Sequence, residues 1–408
     1  MGSLDFARST IPDGLRRLYQ WGTSVQKLSV GDVAEPHWHI VQDAKEEISS
    51  HEIAGLAVGE NAAVALSASG ALWTWKAPGS DTSLAFARTK NPARLVSPSM
   101  QDVQVAGMGL TDDDLVLISD AGTVWQWRMM GEAPAPIRGL PEDVRIHGVS
   151  CGSEHAMVWS PQGAVFSWGA NEYGQLGLGD QDDRSLPELV ELSEGDSVRS
   201  VACAKNYTVL LLACGDALSC GEMEDYVLGQ GRWRGRPEDG PGRKAEGEDD
   251  EDDDVPDCSP DLLPVSLPRN VRGMLVQVSC AAKHTVALTS DGRVVTWGLG
   301  EGGRLGRKKK VGVEVTAHAQ PAVVRFEVPD QNMVSVSAGG AHTVGVSAGG
   351  QLWLWGQVSA NTVYTIPRLV LGPKLGHAYF LSAYAGEWLT MAVAVPPPQD
   401  FDDEGEDN

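Results

Sequence analysis

Long apolar runs are missing from this sequence, and their absence excludes several classes of protein. Nothing in its 408 residues approaches the ~18 consecutive apolar positions of a membrane span. The N-terminus lacks the apolar core of a secretory leader, and Phe6 stands where a myristoylation signal needs Ser or Thr. No Cys-x-x-Cys occurs among the six cysteines, so neither a zinc knuckle nor a dithiol redox pair is signalled. No P-loop is present, and stripes of apolar residues at helical spacing are absent too. The chain is therefore expected to be soluble, cytoplasmic or nuclear, without a membrane partner, and monomeric.

Positive charge is also in short supply. The formal net charge is −23, with 32 Lys and Arg against 55 Asp and Glu. Two runs hold much of the excess: Glu246 to Asp257 carries nine acids and no base, and Asp400 to Asn408 carries six acids and no base. Such runs repel themselves and bury nothing, so they are expected to be solvated. Direct DNA binding is not expected, because a phosphate backbone needs clustered Lys and Arg. Basic protein surfaces are the complementary partners.

Gly (47) and Trp (13) are abundant, a composition that favours short strands joined by glycine turns. A ruler runs through the chain: a glycine followed five residues later by Trp. Gly70 leads to Trp75, Gly122 to Trp127, Gly163 to Trp168, Gly292 to Trp297 and Gly350 to Trp355, while Gly215 leads to Cys220. Upstream of each glycine lies an apolar run, such as Thr208 to Leu212 or Thr285 to Leu288. Each unit reads as strand, glycine hairpin, strand, hence an antiparallel sheet. Cys151, Cys203 and Cys280 share one phase of this repeat and read as small buried residues and reduced thiols.

The two ends complete each other. The C-terminal run Trp388 to Val393 is an upstream strand with no hairpin after it, and Leu18 to Gly22, with Trp21, is the missing partner strand. The sequence thus predicts an all-β, seven-bladed propeller over 15–396, its last blade closed by N- and C-terminal strands. Trp21, Trp75, Trp127, Trp168, Trp297 and Trp355 are expected to fill space between blades, with Gly163 and Gly292 among the turn glycines. Residues 232–261, bearing several arginines and then the acidic run, read as a disordered charged insertion in blade four, and 399–408 as an acidic disordered tail.

The segment Val165-Phe166-Ser167-Trp168-Gly169-Ala170-Asn171-Glu172-Tyr173-Gly174-Gln175-Leu176-Gly177 closely resembles the signature of the regulator-of-chromosome-condensation repeat. Val295 to Gly306 matches in part, with Arg304 in place of Gln; the blade of Cys220 is degenerate, and no Gly follows Trp75 or Trp127. The resemblance implies the same propeller, and a fold whose members differ widely in activity. It also implies that residues at the start of the upstream strands lie near one propeller face. In the family's Ran exchange factor, acidic and histidine residues around this phase contact the GTPase. The positions matching here are Asp112, Asp113, Asp114, Glu154, His155, His284 and His342, which form the candidate partner-binding face.

Other motifs carry less. Gly298-x-Gly300-x-x-Gly303 fits a dinucleotide fingerprint formally, but no apolar helix pattern follows it. His37-Trp38-His39 lacks companion ligands and reads as a loop or edge strand, so no metal is expected, nor any cofactor. Arg307 to Lys310 reads as a solvated basic turn. The plant ultraviolet-B photoreceptor of this family relies on repeated Gly-Trp-Arg-His-Thr segments, and only Arg232-Trp233-Arg234 comes near that. The expected function is a non-enzymatic protein-interaction platform, an adaptor or regulator working through one face and the charged loop of blade four. The alternative is a guanine-nucleotide exchange factor for a Ran-like small GTPase, which would act by binding the nucleotide-free GTPase more tightly than the loaded one.

Overall fold

The computed structural model describes residues 17–22, 39–40, 53–59, 61–76, 93–95, 97–128, 133–230, 258–271, 273–307, 317–328, 331–359, 362–371, 378–386 and 389–395. Its strands form four-stranded antiparallel sheets. Six are blades built from consecutive strands, here called inner, second, third and outer. Blade 1 is Ile53–Val58, Ala62–Ser67, Leu72–Lys76 and Ala93–Leu95; blade 2 is Val105–Leu110, Asp114–Ser119, Val124–Arg128 and Ala135–Pro136. Blade 3 is Gly148–Cys151, His155–Trp159, Val165–Gly169 and Arg184–Val190; blade 4 is Val198–Cys203, Tyr207–Leu212, Ala217–Glu222 and Cys258–Pro264. Blade 5 is Leu275–Ala281, His284–Thr289, Val294–Leu299 and Ala317–Val323; blade 6 is Met333–Ala338, His342–Ser347, Leu352–Ser359 and Thr362–Leu369.

The remaining sheet is composite. Its inner strand Tyr379–Ala385 and second strand Leu389–Val395 come from the C-terminal part of the chain, and Arg17–Gly22 and His39–Ile40 from the N-terminal part. Arg17–Gly22 pairs antiparallel along Leu389–Val395, with Trp21 opposite Thr390. The all-β propeller is as expected, but six blades are built from contiguous strands where seven were expected; the remaining sheet is assembled from both ends of the described chain. The inner strands touch one another in sequence around a ring, the composite sheet lying between blades 6 and 1.

The hairpins explain the glycine of the repeat. Gly70, Gly122, Gly163, Gly215, Gly292 and Gly350 all adopt φ between 71° and 91°, a region that disfavours a Cβ. Three residues earlier, Ser67, Ser119, Ser160, Thr289 and Ser347 accept the N–H of the residue after the glycine at 3.0–3.2 Å. The hydroxyl substitutes for a ladder bond at the turn. This serine or threonine phase recurs in the sequence as plainly as the tryptophans do.

Packing follows from the two-residue period of a strand. Along the second strand of blade 1, Ala63 and Ala65 join a core with Met391 and Val393 of the composite sheet, while Ala62, Val64 and Leu66 join one with blade 2. Val209 and Leu211 of blade 4 likewise face blade 5, and Leu210 and Leu212 face blade 3. Both faces of a second strand are buried, which is why these runs are apolar at nearly every position. Trp75, Trp127, Trp168, Trp297 and Trp355 each lie in the core shared with the preceding sheet, as expected from their phase. The Trp21 side chain lies outside the described ones.

Two expectations shift. Residues 258–261, assigned to the insertion, belong to the outer strand of blade 4, where Ser259 pairs with Gly221. Residues 231–257 and the tail 399–408 lie outside the described residues, as do His37, Trp38 and Lys308 to Lys310. The Gly298 to Gly303 segment ends a strand and enters a three-residue 3-10 turn, Glu301–Gly303, rather than a helix.

Candidate functional site

The loops between inner and second strands lie at the same end of each sheet as the loops leaving the third strands. Backbone bonds lock the two together: Ala170 N–H to Glu154 C=O at 3.0 Å in blade 3, and Leu299 N–H to Lys283 C=O at 2.8 Å in blade 5. These loops make one propeller face, and the candidate residues divide on it by depth.

The three histidines are below the surface. His155, His284 and His342 are at most 4% exposed. Each imidazole Nε2 meets the hydroxyl of a threonine in the next sheet: His155 to Thr208 at 2.9 Å, His284 to Thr343 at 2.8 Å and His342 to Thr390 at 2.7 Å. Thr208 donates its hydroxyl to Gln175 C=O at 2.9 Å, and Thr343 to Arg304 C=O at 2.9 Å. Those threonine protons are thus committed, so His155 and His284 donate from Nε2, leaving Nδ1 as the bare nitrogen. Nδ1 of both rings is buried without a hydrogen-bond partner. Burial lowers the pKa of His155 and of His342 to about 4, and pushes that of His284 well below its ordinary 6.5. Tyr207 fills the same phase in blade 4, its hydroxyl reaching Thr285 at 3.0 Å and Ala281 C=O at 2.8 Å in blade 5. These side chains join blades, and in this position none can meet a partner.

The acids divide differently. Asp113 and Glu154 are exposed; Asp112 and Asp114 are half-buried. Thr111 shapes the blade 2 loop, its hydroxyl accepting the Asp114 N–H at 2.8 Å. The Asp112 N–H donates to Ser153 C=O at 2.9 Å, tying the loops of blades 2 and 3. The Gln126 amide donates to the Asp114 carboxylate. Asp113 and Glu154 have no ion-pair partner among the described residues, whereas Lys283 of blade 5 is paired to Asp225 of blade 4 at 3.0 Å. Asp113 and Glu154 are thus exposed, each next to a residue of the Asp112–Ser153 bond, on loops of adjacent blades.

The third-strand loop of blade 3 is held from within. Asn171 accepts the Leu176 N–H at 3.0 Å and donates to Asp180 C=O at 2.9 Å, and the Asn171 N–H donates to Asp183 at 2.8 Å. Arg184 bonds Asp180 at 2.7 Å. Gly169 adopts φ 108°, and a Cβ there would stand 2.3 Å from Glu154 C=O. Those glycines and the Asn serve loop shape rather than ligand capture. The cysteines also have packing roles: burial raises the pKa of Cys203 and Cys280 to about 12, far from reactive thiolates. Among the described residues no group of three or more His, Cys, Asp or Glu could hold a metal, and no helix is long and apolar enough to cross a membrane.

Comparison with known proteins places this arrangement. The profile of the regulator of chromosome condensation (RCC1) repeat matches residues 162–211 and 291–346, and a second profile of the same repeat matches 146–175 and 275–304. The ultraviolet-B receptor UVR8 of Arabidopsis thaliana is 30% identical over 251 residues, covering 62% of this chain and 46% of that protein. Human protein RCC2 is 30% identical over 282 residues, covering 62% of this chain and 50% of RCC2. The chain thus spans half or less of the length of these relatives. Among solved structures, human WBSCR16 superposes with a TM-score of 0.71 at 17% identity, covering 93% of this chain and 99% of that one. Prp20p of Saccharomyces cerevisiae, whose structure was described with its binding properties to Gsp1p and histones, gives 0.72 at 19% identity, covering 94% and 92%.

Proposed function

Because the chain carries regulator-of-chromosome-condensation repeats in a propeller of that type, we propose that it is a non-enzymatic platform for protein partners. On this reading the composite sheet serves as the seventh blade of the ring. The observation that carries the proposal is the pairing of Asp113 and Glu154, exposed and without ion-pair partners among the described residues, on loops fixed to each other by the Asp112–Ser153 bond. Fixed, unpaired carboxylates favour a basic partner surface, and the net charge of −23 steers such a partner in from a distance. The charged segment 232–257 would add a second contact.

The exchange-factor reading is the alternative, and Prp20p, with its binding properties to Gsp1p, is what favours it. One experiment separates the two. Purified protein is mixed with small GTPases of the Ran class carrying a fluorescent nucleotide, and with basic histone-tail peptides, and both binding and nucleotide release are followed. The platform reading expects binding without faster release, weakened by Asp113→Lys and Glu154→Lys. Accelerated release that those substitutions abolish would replace it with the exchange reading. Binding indifferent to both substitutions removes this face from either account.

A further inference from the structure

The linker between blades 3 and 4 lies at the opposite end of the ring from the face described above. In blade 3, Gly169 pairs with Arg184 and Val165 with Val190, so the outer strand starts at the candidate face and finishes at the end that carries the glycine hairpins. Residues 191–197 then cross that hairpin end to reach the inner strand of blade 4. Two anchors hold the linker there. Leu192 packs against the apolar core shared by blades 3 and 4. At the other side, the Val198 N–H donates to Gly163 C=O at 3.2 Å and the Ala213 N–H to Ser197 C=O at 2.9 Å.

Between the anchors the chain turns outward. Glu191, Ser193, Glu194, Gly195 and Asp196 are all exposed. The Asp196 N–H donates to Ser193 C=O at 3.0 Å and closes a turn in which Gly195 takes φ 91°. A Cβ on Gly195 would meet nothing within 4 Å, so the turn projects into open solvent. Ser193 thus presents its hydroxyl with carboxylates one and three residues after it and two residues before it. An enzyme cleft lined with Lys and Arg is the complement of that pattern. Opening the turn into the extended form such a cleft needs breaks the one bond that closes it.

Other described hydroxyls with an acid three residues on are engaged differently. Ser219 is buried and donates to Leu228 C=O at 2.8 Å. Thr111 is half-buried, and its oxygen accepts the N–H groups of Asp113 and Asp114. Ser99 donates to Pro134 C=O at 3.2 Å. Beyond Ser185 the acid is Glu188, which Arg184 already pairs. We propose that Ser193 is a phosphate-acceptor site for an acid-directed serine/threonine protein kinase. In that step the Ser193 Oγ–P bond forms as the bond from the γ-phosphorus of ATP to the leaving ADP oxygen breaks, and the hydroxyl proton passes to the kinase's base. The product adds about −1.5 to −2 charge at pH 7 beside Glu191, Glu194 and Asp196. It gives the hairpin end a switchable anionic spot, and it does not rest on the platform reading.

The test uses the full-length protein with Mg-ATP and a purified acid-directed kinase, a purified arginine-directed kinase serving as the control. Phosphate is mapped and timed by tandem mass spectrometry. The acid-directed enzyme should modify Ser193 in the folded protein, and Ser193→Ala should lose that phosphate without a change in Tm. Glu194→Gln and Asp196→Asn should each slow the initial rate at Ser193 roughly tenfold or more, the loss of one charge-assisted contact. No phosphate at Ser193 overturns the inference. So does a rate at Ser193 indifferent to both acid substitutions, or equal modification of Ser193 by the arginine-directed enzyme.

Discussion

A fully buried imidazole is held neutral by its surroundings, and in His155 and His284 the ring also has no partner at Nδ1. Burial lowers the pKa of His155 and His342 from 6.5 to about 4, and pushes that of His284 well below 6.5. The native state thus binds fewer protons than the unfolded chain between those values. Their contribution is complete above pH 6.5 and drains away as the pH falls toward 4, at about 1.4 kcal/mol per unit for each ring. Urea midpoints should therefore decline between pH 6.5 and 5, where few carboxylates titrate. A flat profile over that window would mean the rings are not held neutral.

Thr343 carries two bonds at one oxygen, from His284 Nε2 and to Arg304 C=O. Thr343→Val keeps the shape and strands both partners, so a loss of about 2–4 kcal/mol is expected in denaturant unfolding. Thr123→Val in a blade 2 hairpin, where only backbone atoms of Thr123 bond Ser119, should cost much less. Why these histidines looked like a binding face is clear at this scale. Their phase at the start of a strand could be read from the sequence, but burial by the neighbouring blade could not, because Thr208, Thr343 and Thr390 are 48 to 59 residues away. Asp113 and Glu154 occupy adjacent phases yet remain exposed, since their loops rise one residue above the strand ends.

Strands and hairpins were the legible part of the sequence. The glycine at a fixed offset from Trp requires positive φ, and Trp at that offset reaches the preceding blade, so turn and packing are both local consequences of residue type. Outer strands were not legible: Arg184–Val190 carries exposed Leu186 and Leu189, and Cys258–Pro264 holds two prolines, so neither shows clean alternation. The end of the charged insertion was misplaced for that reason. Replacing 232–257 by a short Gly-Ser linker should leave the Tm within about 2 °C, because loop length itself contributes little. Extending the replacement to 261 removes the pairing of Cys258 and Ser259 with Glu222 and Gly221, and should lower the Tm by several degrees. Equal Tm values for the two variants would mean that Cys258 and Ser259 add nothing to blade 4.

For the whole molecule, the composite sheet decides whether an edge is left open. Without Arg17–Gly22, the second strand Leu389–Val395 loses its partner along six residue pairs. Still paired with Tyr379–Ala385 on one side, it would present an open apolar edge on the other, which invites pairing with another chain. Removal of residues 1–22 should shift the protein from monomer to dimer or larger species in size-exclusion chromatography with light scattering, and a variant that stays monomeric and unfolds in one step would show that the strand is dispensable. The ring as a whole was foreseeable because both ends were incomplete in complementary ways; the hydrogen bonds between blades emerged only with the structure.

The pairing of Arg17–Gly22 with Leu389–Val395 also sets a schedule. During synthesis the N-terminal strand emerges long before the strand it must pair with, and at cellular translation speeds it waits roughly 20 to 70 seconds. Blades 1 to 6 can form in order as they emerge, but Arg17–Gly22 cannot pair until Leu389–Val395 has left the ribosome. Over that interval Arg17–Gly22 is an unmatched strand tethered to a growing propeller.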